Sequence, residues 1–308
     1  MDSRANSEIT RWIVGPADAD LSSRLDRFVA TQVGVSRGQV RQWLDAGCIT
    51  LDGRVARRGG ELLRAGQAVV WTPPTRDWVG SGTGGCEVLA RGADWLAVNK
   101  PAGVPVHPLR PDESGTLLGT VAEQFPQILG VGDEGELRSG VVHRLDVDTS
   151  GVVLLALSDT RWRALREAFS RHRVRKTYVA LADGLLDADG EAERHLAVTR
   201  HSPARVEVVE PGTPSARQCS LGWRVLAVGE RCTRVEIDLH TGFLHQVRVI
   251  FSAMGHPLLG DRTYASPPIA DRAPRQMLHA AKIAVDEISA EAEWPEDFVS
   301  TAEREGVA

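Results

Sequence analysis

The chain has 308 residues, of which 42% are hydrophobic and 25% charged, and its formal net charge is −5 at pH 7. This composition excludes a globally disordered chain, and the longest apolar run, residues 152–157, is far shorter than the roughly 20 residues of a membrane helix. The four cysteines form no Cys-X-X-Cys pair and the first residues carry no signal-peptide stretch, so we expect a cytoplasmic protein without disulfides or membrane attachment.

Charge is distributed unevenly along the chain. Nine arginines stand against four acidic residues between positions 22 and 76, and seven basic residues stand against one glutamate between positions 161 and 176. From position 286 to the end there are eight acidic residues and one arginine. Local basic clusters govern phosphate attraction more than net charge does, so a nucleic-acid partner is compatible with this chain. A solvated helix face is the alternative for each basic segment.

The residues before position 73 predict a small domain. Ser23 and Ser36 can each cap a short helix, and Gly47 can end the second one. Strand signals follow at residues 49–51 and 68–71. The apolar positions of the two helices are Leu25, Phe28, Val29, Val40, Trp43 and Leu44.

Arginines cluster on and just after the second predicted helix, at Arg37, Arg41, Arg54, Arg57 and Arg58. Two helices, a small sheet and an arginine-lined edge resemble the S4 RNA-binding domain over about 50 residues. The resemblance implies that Arg37, Arg41 and Arg58 contact RNA. A charged helical hairpin without a ligand is the alternative.

Residues 73–85 are rich in proline, glycine, serine and threonine, as linkers are. We therefore predict an N-terminal extension over residues 1–20, a small α/β S4-like domain over 21–72, a linker over 73–85 and a larger domain over 86–308.

Short strand patterns dominate the larger domain. We predict strands at residues 86–89, 95–98, 152–157, 177–181, 206–209, 221–228 and 233–239, and helices at 117–125, 162–169 and 247–254. Strands outnumber helices and do not alternate with them regularly, which predicts an α+β fold on a mainly antiparallel, mixed sheet. Apolar spacing in the last helix predicts Arg248 near the opposite face.

No motif for a metal or an organic cofactor emerges. Residues 130–135 satisfy Gly-X-Gly-X-X-Gly, but no strand precedes them and no helix follows. The nine histidines lack metal-ligand spacing. We expect neither a metal nor a cofactor.

Four segments of the larger domain stand out: VNKPAG from position 98, GVVHRLDVDTSG from 140, KTYVAL from 176 and TGFLHQVR from 241. In this order they resemble the RluA family of pseudouridine synthases, and the resemblance extends from about residue 86 to 298. It implies an isomerase that converts uridines in RNA to pseudouridine without a metal or organic cofactor. Together with the S4-like domain, it implies the subgroup that acts on 23S ribosomal RNA.

The reaction itself requires a carboxylate. Breaking the N1–C1′ bond of uridine builds positive character on the ribose, and a carboxylate stabilises it in a pocket closed to water. The family motif assigns this role to Asp146, which either attacks C1′ or takes a proton from C2′. If the segment is extended, Asp148 points elsewhere and is structural or solvated.

The resemblance also implies roles for the surrounding residues. An ionised carboxylate in a partly dry pocket needs a cationic partner, and the family pattern places Arg248 there. Tyr178 packs on the target base, and Arg144 contacts RNA or fills the gap left by a flipped nucleotide. A basic helix over residues 161–176 would follow phosphates. The remaining predicted RNA contacts are His143, Arg171, Arg173, Lys176, His245 and Gln246; for His143 and for Lys100, structural support is the alternative.

One position departs from the family pattern, because Phe243 stands where the family commonly has arginine. Phe243 and the acidic C-terminal segment leave a second hypothesis open, a catalytically weak paralogue that acts in RNA binding or ribosome assembly. A third is a nucleoside glycosidase, which would release uracil. We favour the synthase, acting on RNA as a monomer.

Overall fold

The computed structural model describes residues 9–20, 24–73, 78–79, 85–132 and 135–308. The chain divides into two compact units. The first contains Met1–Thr83 and His107–Gly140, and the second contains Gly84–Val106 and Val141–Ala308. None of the helices in the described ranges combines the length and apolar character needed to span a lipid bilayer.

The first unit contains a small antiparallel sheet with strand order β1-β4-β2-β3. Its elements are β1 (Thr10–Ile13), α1 (Pro16–Asp20), α2 (Leu25–Val33), α3 (Arg37–Asp45), β2 (Ile49–Leu51), β3 (Arg54–Val55), β4 (Ala68–Trp71) and α4 (Leu117–Gln124), with 3-10 turns at Pro126–Ile128 and Glu136–Arg138. All six predicted apolar positions of α2 and α3 are buried. The side chain of Ser36 caps α3 as predicted, accepting from the Gln39 amide at 3.2 Å. Ser23 lies outside the described residues, and Arg24 occupies the N-cap of α2.

The second unit is built on a ten-stranded sheet with the order β10-β9-β11-β12-β8-β13-β7-β6-β5, to which β14 is added beside β13. Its elements are β5 (Glu87–Arg91), β6 (Trp95–Lys100), β7 (Ser150–Ala156), α5 (Asp159–Ser170), β8 (Arg175–Asp183), β9 (Gly190–His201), β10 (Ala204–Val209), β11 (Arg217–Val228), β12 (Cys232–Leu239), α6 (Gln246–Ala253), α7 (Pro267–Ala270), β13 (Leu278–Val285), β14 (Ile288–Glu291) and α8 (Glu296–Arg304). Among the described strands, every pairing is antiparallel except that of β7 with β13. This confirms the predicted α+β fold with a mainly antiparallel sheet.

The basic segment 161–176 is not one helix, contrary to the prediction. Helix α5 ends at Ser170, a turn follows, and Lys176 belongs to β8. The turn includes His172, whose φ of 54° lies in the left-handed region and is incompatible with a continuing helix. Arg171 and Arg173 therefore lie on a turn, where they form ion pairs with exposed acidic residues.

Arg248 does not lie on a solvent-facing side of its helix. Residues 246–251 of α6 are all buried, so the apolar stripe and the face opposite it are both covered by protein. The side chain of Arg248 is only 6% exposed. The predicted helix is confirmed, and the face opposite its apolar positions is enclosed by protein rather than exposed to solvent.

Candidate active site

A cavity of about 620 Å³ opens in the second unit, within the usual volume range of small-molecule sites. Its walls come from the loop before β7, from α5 and β8, and from the loop that leads into α6. The predicted catalytic residues Asp146, Tyr178 and Arg248 all line it. Five predicted RNA contacts also line it: His143, Arg144, Lys176, His245 and Gln246.

The loop that carries Asp146 is held in place by two basic side chains, which donate hydrogen bonds to the backbone carbonyls of Val147 and Asp148. The fully buried ammonium of Lys100 donates to Val147 O at 2.8 Å and to the carbonyls of Pro101 and Val104, which follow β6. Arg275 donates to Asp148 O at 3.0 Å. These contacts give Lys100 a supporting position, and the Asp148 side chain is exposed as expected.

A glycine allows β7 to start directly after this loop. Gly151 has a φ of 114°, and a Cβ placed on it would lie 2.1 Å from Ala280 O on β13. These two residues face each other where β7 and β13 pair in parallel. The glycine of the Thr-Ser-Gly motif is therefore required by the close approach of two backbones.

Arg248 bridges two carboxylates. Its Nη1 donates to Asp146 Oδ2 at 3.0 Å, while its Nε and Nη2 donate to Asp261 at 2.7 and 2.8 Å. Burial alone would lower the pKa of the Arg248 guanidinium, but the hydrogen bonds and charges of both carboxylates outweigh it and raise the pKa. The pairing of Arg248 with Asp146 was predicted.

Asp261 was not predicted as a site residue. Its side chain is fully buried, and Oδ1 also accepts from the backbone amides of Thr263 and Tyr264 at 2.9 and 3.1 Å. Because the bidentate pair holds the Nε and Nη2 side of Arg248, an N–H group of Nη1 is aimed at Asp146. In the sequence, Asp261 stands at the end of residues 255–261, GHPLLGD, which lie within the stretch that resembles the synthase family.

Tyr178 projects from β8 into the cavity and is 9% exposed. Burial raises the pKa of its phenol, and the negative charge of Asp146 raises it further. The side chain is therefore a neutral aromatic ring beside the carboxylate. Such a ring can stack on a nucleobase.

His143 and Lys176 belong to the wall of the cavity. His143 Nε2 accepts from the Leu154 amide at 2.9 Å, and its ring stacks on Phe169 with 4.8 Å between centroids. Burial, with a contribution from Lys176, lowers the pKa of His143 to about 3. The Lys176 ammonium donates to Thr241 O at 2.8 Å, and burial lowers its pKa to about 8.

Gln246 holds the loop in front of α6 together. Its Oε1 accepts from Thr241 Oγ1 and the Phe243 amide, and its Nε2 donates to Ser220 O at 3.0 Å. The side chain is buried and its polar atoms are occupied by protein groups. Gln246 therefore supports this loop, and its contact with RNA stays a prediction. Arg144 is exposed at the cavity.

His245 occupies a strained position between Asp146 and a second tyrosine. Its φ of 54° is left-handed, which costs a non-glycine residue about 1 kcal/mol or more. Its Nδ1 lies 2.8 Å from the Tyr264 hydroxyl, and its Nε2 lies 4.0 Å from Asp146 Oδ2. The guanidinium of Arg248 lies 5.1 Å from the centre of the Tyr264 ring. Tyr264 was not predicted, although it is one of only two tyrosines.

The predicted RNA contacts of the first unit differ in their surroundings. Arg37 pairs with the buried carboxylate of Asp26 at 3.0 Å, which also pairs with Arg24. Arg41 and Arg58 are exposed. Arg37 is thus partly committed to the fold, and Arg41 and Arg58 are accessible to a ligand.

In the described part of the chain, no cluster of three or more histidine, cysteine, aspartate or glutamate side chains could hold a metal ion. At the cavity, the carboxylate of Asp146 lies against the buried guanidinium of Arg248.

Comparisons with known proteins agree with these motifs. A family model described as RNA pseudouridylate synthase matches residues 94–253, and an S4 domain model matches residues 23–69. The chain is 33% identical over 263 residues to an uncharacterized RNA pseudouridine synthase from Chloroflexus aurantiacus, with 84% of this chain and 81% of the relative covered. It is 32% identical over 272 residues to ribosomal large subunit pseudouridine synthase D from Nitrosomonas europaea, with coverage of 83% and 75%. The protein of that name from Yersinia pestis is 28% identical over 263 residues, with coverage of 82% and 76%.

Solved structures show the same relationship. Human RNA Pseudouridylate Synthase Domain Containing 1 superposes with a TM-score of 0.54 at 27% identity, covering 68% of this chain and 83% of the human chain. Human RNA Pseudouridylate Synthase Domain Containing 4 superposes with a TM-score of 0.57, covering 71% and 92%. At 21% identity, the latter similarity concerns the fold alone.

Proposed function

The chain belongs to the RNA pseudouridylate synthase family, and we propose that it converts specific uridines of 23S ribosomal RNA to pseudouridine with Asp146 as its catalytic carboxylate. The large-subunit substrate is supported by the names of the relatives from Nitrosomonas europaea and Yersinia pestis. The match to an S4 domain supports an RNA substrate in general.

One observation carries the assignment of the catalytic residues. Arg248 donates to Asp146 Oδ2 at 3.0 Å inside the cavity that Tyr178 also lines. The Asp146 side chain remains 20% exposed to this cavity, so it can reach a ribose. The guanidinium places a positive charge next to the carboxylate that the reaction needs.

The chemistry needs little beyond this carboxylate. When the N1–C1′ bond breaks, its electron pair leaves with uracil, and Asp146 either bonds to C1′ or removes the C2′ proton. After the base has turned, C5 forms the new bond to C1′, and the carboxylate is displaced or the C2′ proton is returned. C5 then loses its proton and N1 gains one, so the reaction is an isomerisation.

The walls of the cavity support the turning base. Tyr178 offers a neutral ring against which the uracil can stack and rotate. The enclosed site limits the access of water, which would otherwise capture the ribose and release free uracil. The exposed Arg144 and the Lys176 ammonium supply positive charge for the phosphates next to the target nucleotide.

We also propose the domain bounds given above, a cytoplasmic location and a monomeric state. Residues 107–140 group with the N-terminal residues in the structure, although the sequence assigns them to the larger domain. Light scattering of the purified protein would test the monomeric state.

Mapping pseudouridine in total RNA tests the proposed function. A strain that lacks this gene is complemented with the wild type, with Asp146→Asn or with Asp148→Asn as the matched control. We expect one or a few sites in 23S RNA to lose pseudouridine in the deletion strain. The wild type and Asp148→Asn should restore them, because Asp148 is exposed and outside the cavity lining. Asp146→Asn should restore none.

Other outcomes separate the alternatives. If the deletion strain has a ribosome-assembly defect that Asp146→Asn corrects, and its pseudouridine map equals that of the wild type, the chain acts as an RNA-binding factor. This is the hypothesis that Phe243 leaves open. Release of free uracil from RNA by the purified protein would identify a glycosidase.

A further inference from the structure

Tyr264 links the active site to the edge of the large sheet. The pairing of β10 with β9 shifts register between Arg205 and Val206. Val206 N then donates to the Tyr264 hydroxyl oxygen at 2.9 Å. The same oxygen lies 2.8 Å from His245 Nδ1. Within the described chain, these two groups are the hydrogen-bond partners of the hydroxyl.

The directions of these two bonds follow from the chemistry of the groups. A backbone amide can only donate, so the Tyr264 oxygen is an acceptor toward Val206. The hydroxyl proton remains, and its available acceptor is His245 Nδ1. The imidazole must then carry its own proton on Nε2, on the side that faces Asp146.

The ring is also held as a neutral group. Burial lowers the pKa of His245, and the positive charges of Arg248 and Arg144 act in the same direction. The carboxylates of Asp146 and Asp261 oppose this shift but do not cancel it. A neutral ring keeps Nδ1 free to accept from Tyr264.

A donor and an acceptor therefore face each other across 4.0 Å, the distance between His245 Nε2 and Asp146 Oδ2. This distance is too long for a direct hydrogen bond, but one atom can lie about 2.8 Å from both. A hydroxyl group fits this position because it accepts from N–H and donates to a carboxylate. Next to C1′, the ribose 2′-hydroxyl is such a group.

We propose that Tyr264 holds His245 as the Nε2–H tautomer, and that His245 and Asp146 together bind the 2′-hydroxyl of the target uridine. His245 is then a specificity-determining residue that distinguishes ribose from 2′-deoxyribose, and Tyr264 is a positioning residue. The proposal rests on the proposed function, since it assumes a uridine in the cavity.

The tautomer is tested on the free protein by NMR of the histidine ring nitrogens, with the His245 signals assigned by their absence in His245→Asn. We expect an unprotonated Nδ1 and a protonated Nε2 in the wild type. Tyr264→Phe should shift the ring toward a mixture with Nδ1–H. A protonated Nδ1 in the wild type would overturn the proposal. This result does not depend on any RNA being a substrate.

Recognition of the hydroxyl is tested with two RNAs that differ only in a ribose or 2′-deoxyribose at the target uridine. Each RNA competes against a tritium-labelled RNA of the natural sequence for conversion by the enzyme. An RNA that binds without being converted therefore still gives an inhibition constant. His245→Asn keeps an acceptor near Tyr264 and tolerates the left-handed backbone, but it removes the N–H that faces Asp146. We expect this change to reduce the preference for ribose by about tenfold, the value of one hydrogen bond.

The exposed His240, which does not line the cavity, provides the matched control His240→Asn. This variant should keep the wild-type preference. If His245→Asn lost the same factor of affinity for the ribose RNA and for the 2′-deoxyribose RNA, the residue would be merely structural, and the proposal would be overturned. If the wild type fails to convert the natural RNA, the proposed function is wrong, and the NMR result still decides the tautomer.

Discussion

At the residue scale, two carboxylates pair with the guanidinium of Arg248 but differ in burial and in the number of hydrogen bonds that they accept from it. Asp261 is fully buried and takes two of the N–H groups of Arg248, whereas Asp146 is 20% exposed and takes one. Breaking a buried pair of this kind costs several kcal/mol because a charge is left without a partner. Asp261 therefore determines where the Arg248 guanidinium lies, and the proposed catalytic carboxylate meets a partner already in place.

Lys176 gives a pH-dependent prediction at the same scale. Burial lowers its pKa to about 8, so its ammonium is charged at pH 7 and largely neutral at pH 9. The free lysine pKa is near 10.4, so an exposed lysine would keep its charge over this range. We expect RNA affinity to fall by about tenfold more between pH 7 and pH 9 in the wild type than in Lys176→Gln, as for one charge-assisted contact. Filter binding at constant ionic strength measures this difference.

Arg173→Gln provides the control, because an arginine stays charged throughout this range. Any affinity that it loses should be the same at both pH values. If Lys176→Gln and the wild type show the same pH dependence, the charge of Lys176 does not contribute to binding.

At the element scale, the start of β7 depends on a residue without a side chain. We expect Gly151→Ala to lower the free energy of unfolding by about 3 kcal/mol or more. The added Cβ would meet the backbone of Ala280, and the φ of 114° disfavours any other residue. Urea unfolding monitored by tryptophan fluorescence measures the change.

Gly212→Ala is the matched control, because it measures only the cost of placing alanine at a positive φ. Gly212 has a φ of 88°, and a Cβ placed on it would have no heavy atom within 4 Å. Gly212→Ala should lower the free energy of unfolding by about 1 kcal/mol. Similar values for the two variants would show that the contact with β13 is not what requires glycine at position 151.

The predicted elements differ in how well the sequence indicated them. All seven strands predicted after the linker are present within a few residues, because their apolar and β-branched residues pack on the sheet. Strand β9 was missed since charged residues interrupt its alternation, and it is stabilised by pairing with β10 and β11 on its two sides. The predicted helix at residues 162–169 matches α5, but its continuation as a basic helix to residue 176 is wrong, because a left-handed histidine leaves no clear signal in the sequence.

At the scale of the whole molecule, acidic residues of the C-terminal segment form ion pairs with arginines elsewhere in the chain. Asp286 pairs with Arg173 at 3.2 Å and Glu287 with Arg161 at 2.9 Å. Asp297 pairs with Arg275 at 2.6 Å. Arg161 and Arg173, two of the seven basic residues in segment 161–176, thereby have an acidic partner, and RNA binding by Arg173 stays a prediction. The net charge of −5 is a poor guide to the partner of this chain.

RNA binding by the first unit gives a prediction at this scale. We expect the double change Arg41→Gln and Arg58→Gln to weaken binding and to flatten the plot of log Kd against log salt by about 1 for each arginine. The reason is that both side chains are exposed and can release counterions from phosphates. Binding isotherms at several salt concentrations measure the slope.

Arg11, exposed on the edge strand β1, supplies the control Arg11→Gln. This change should leave the slope near the wild-type value. An unchanged slope in the double variant would contradict an RNA role for Arg41 and Arg58.

The sequence by itself indicated the family and the positions of the main strands, and it led to the prediction of Asp146, Tyr178 and Arg248 as catalytic residues, because these depend on local patterns and specific motifs. Only the tertiary structure brought Asp261 and Tyr264 to the same site, since both act through residues distant in sequence. It also showed that Gln246 supports the loop before α6, because hydrogen-bond satisfaction in a buried loop depends on neighbours from other strands. Residue types decide which chemistry is possible, and long-range packing decides which side chains are free to perform it.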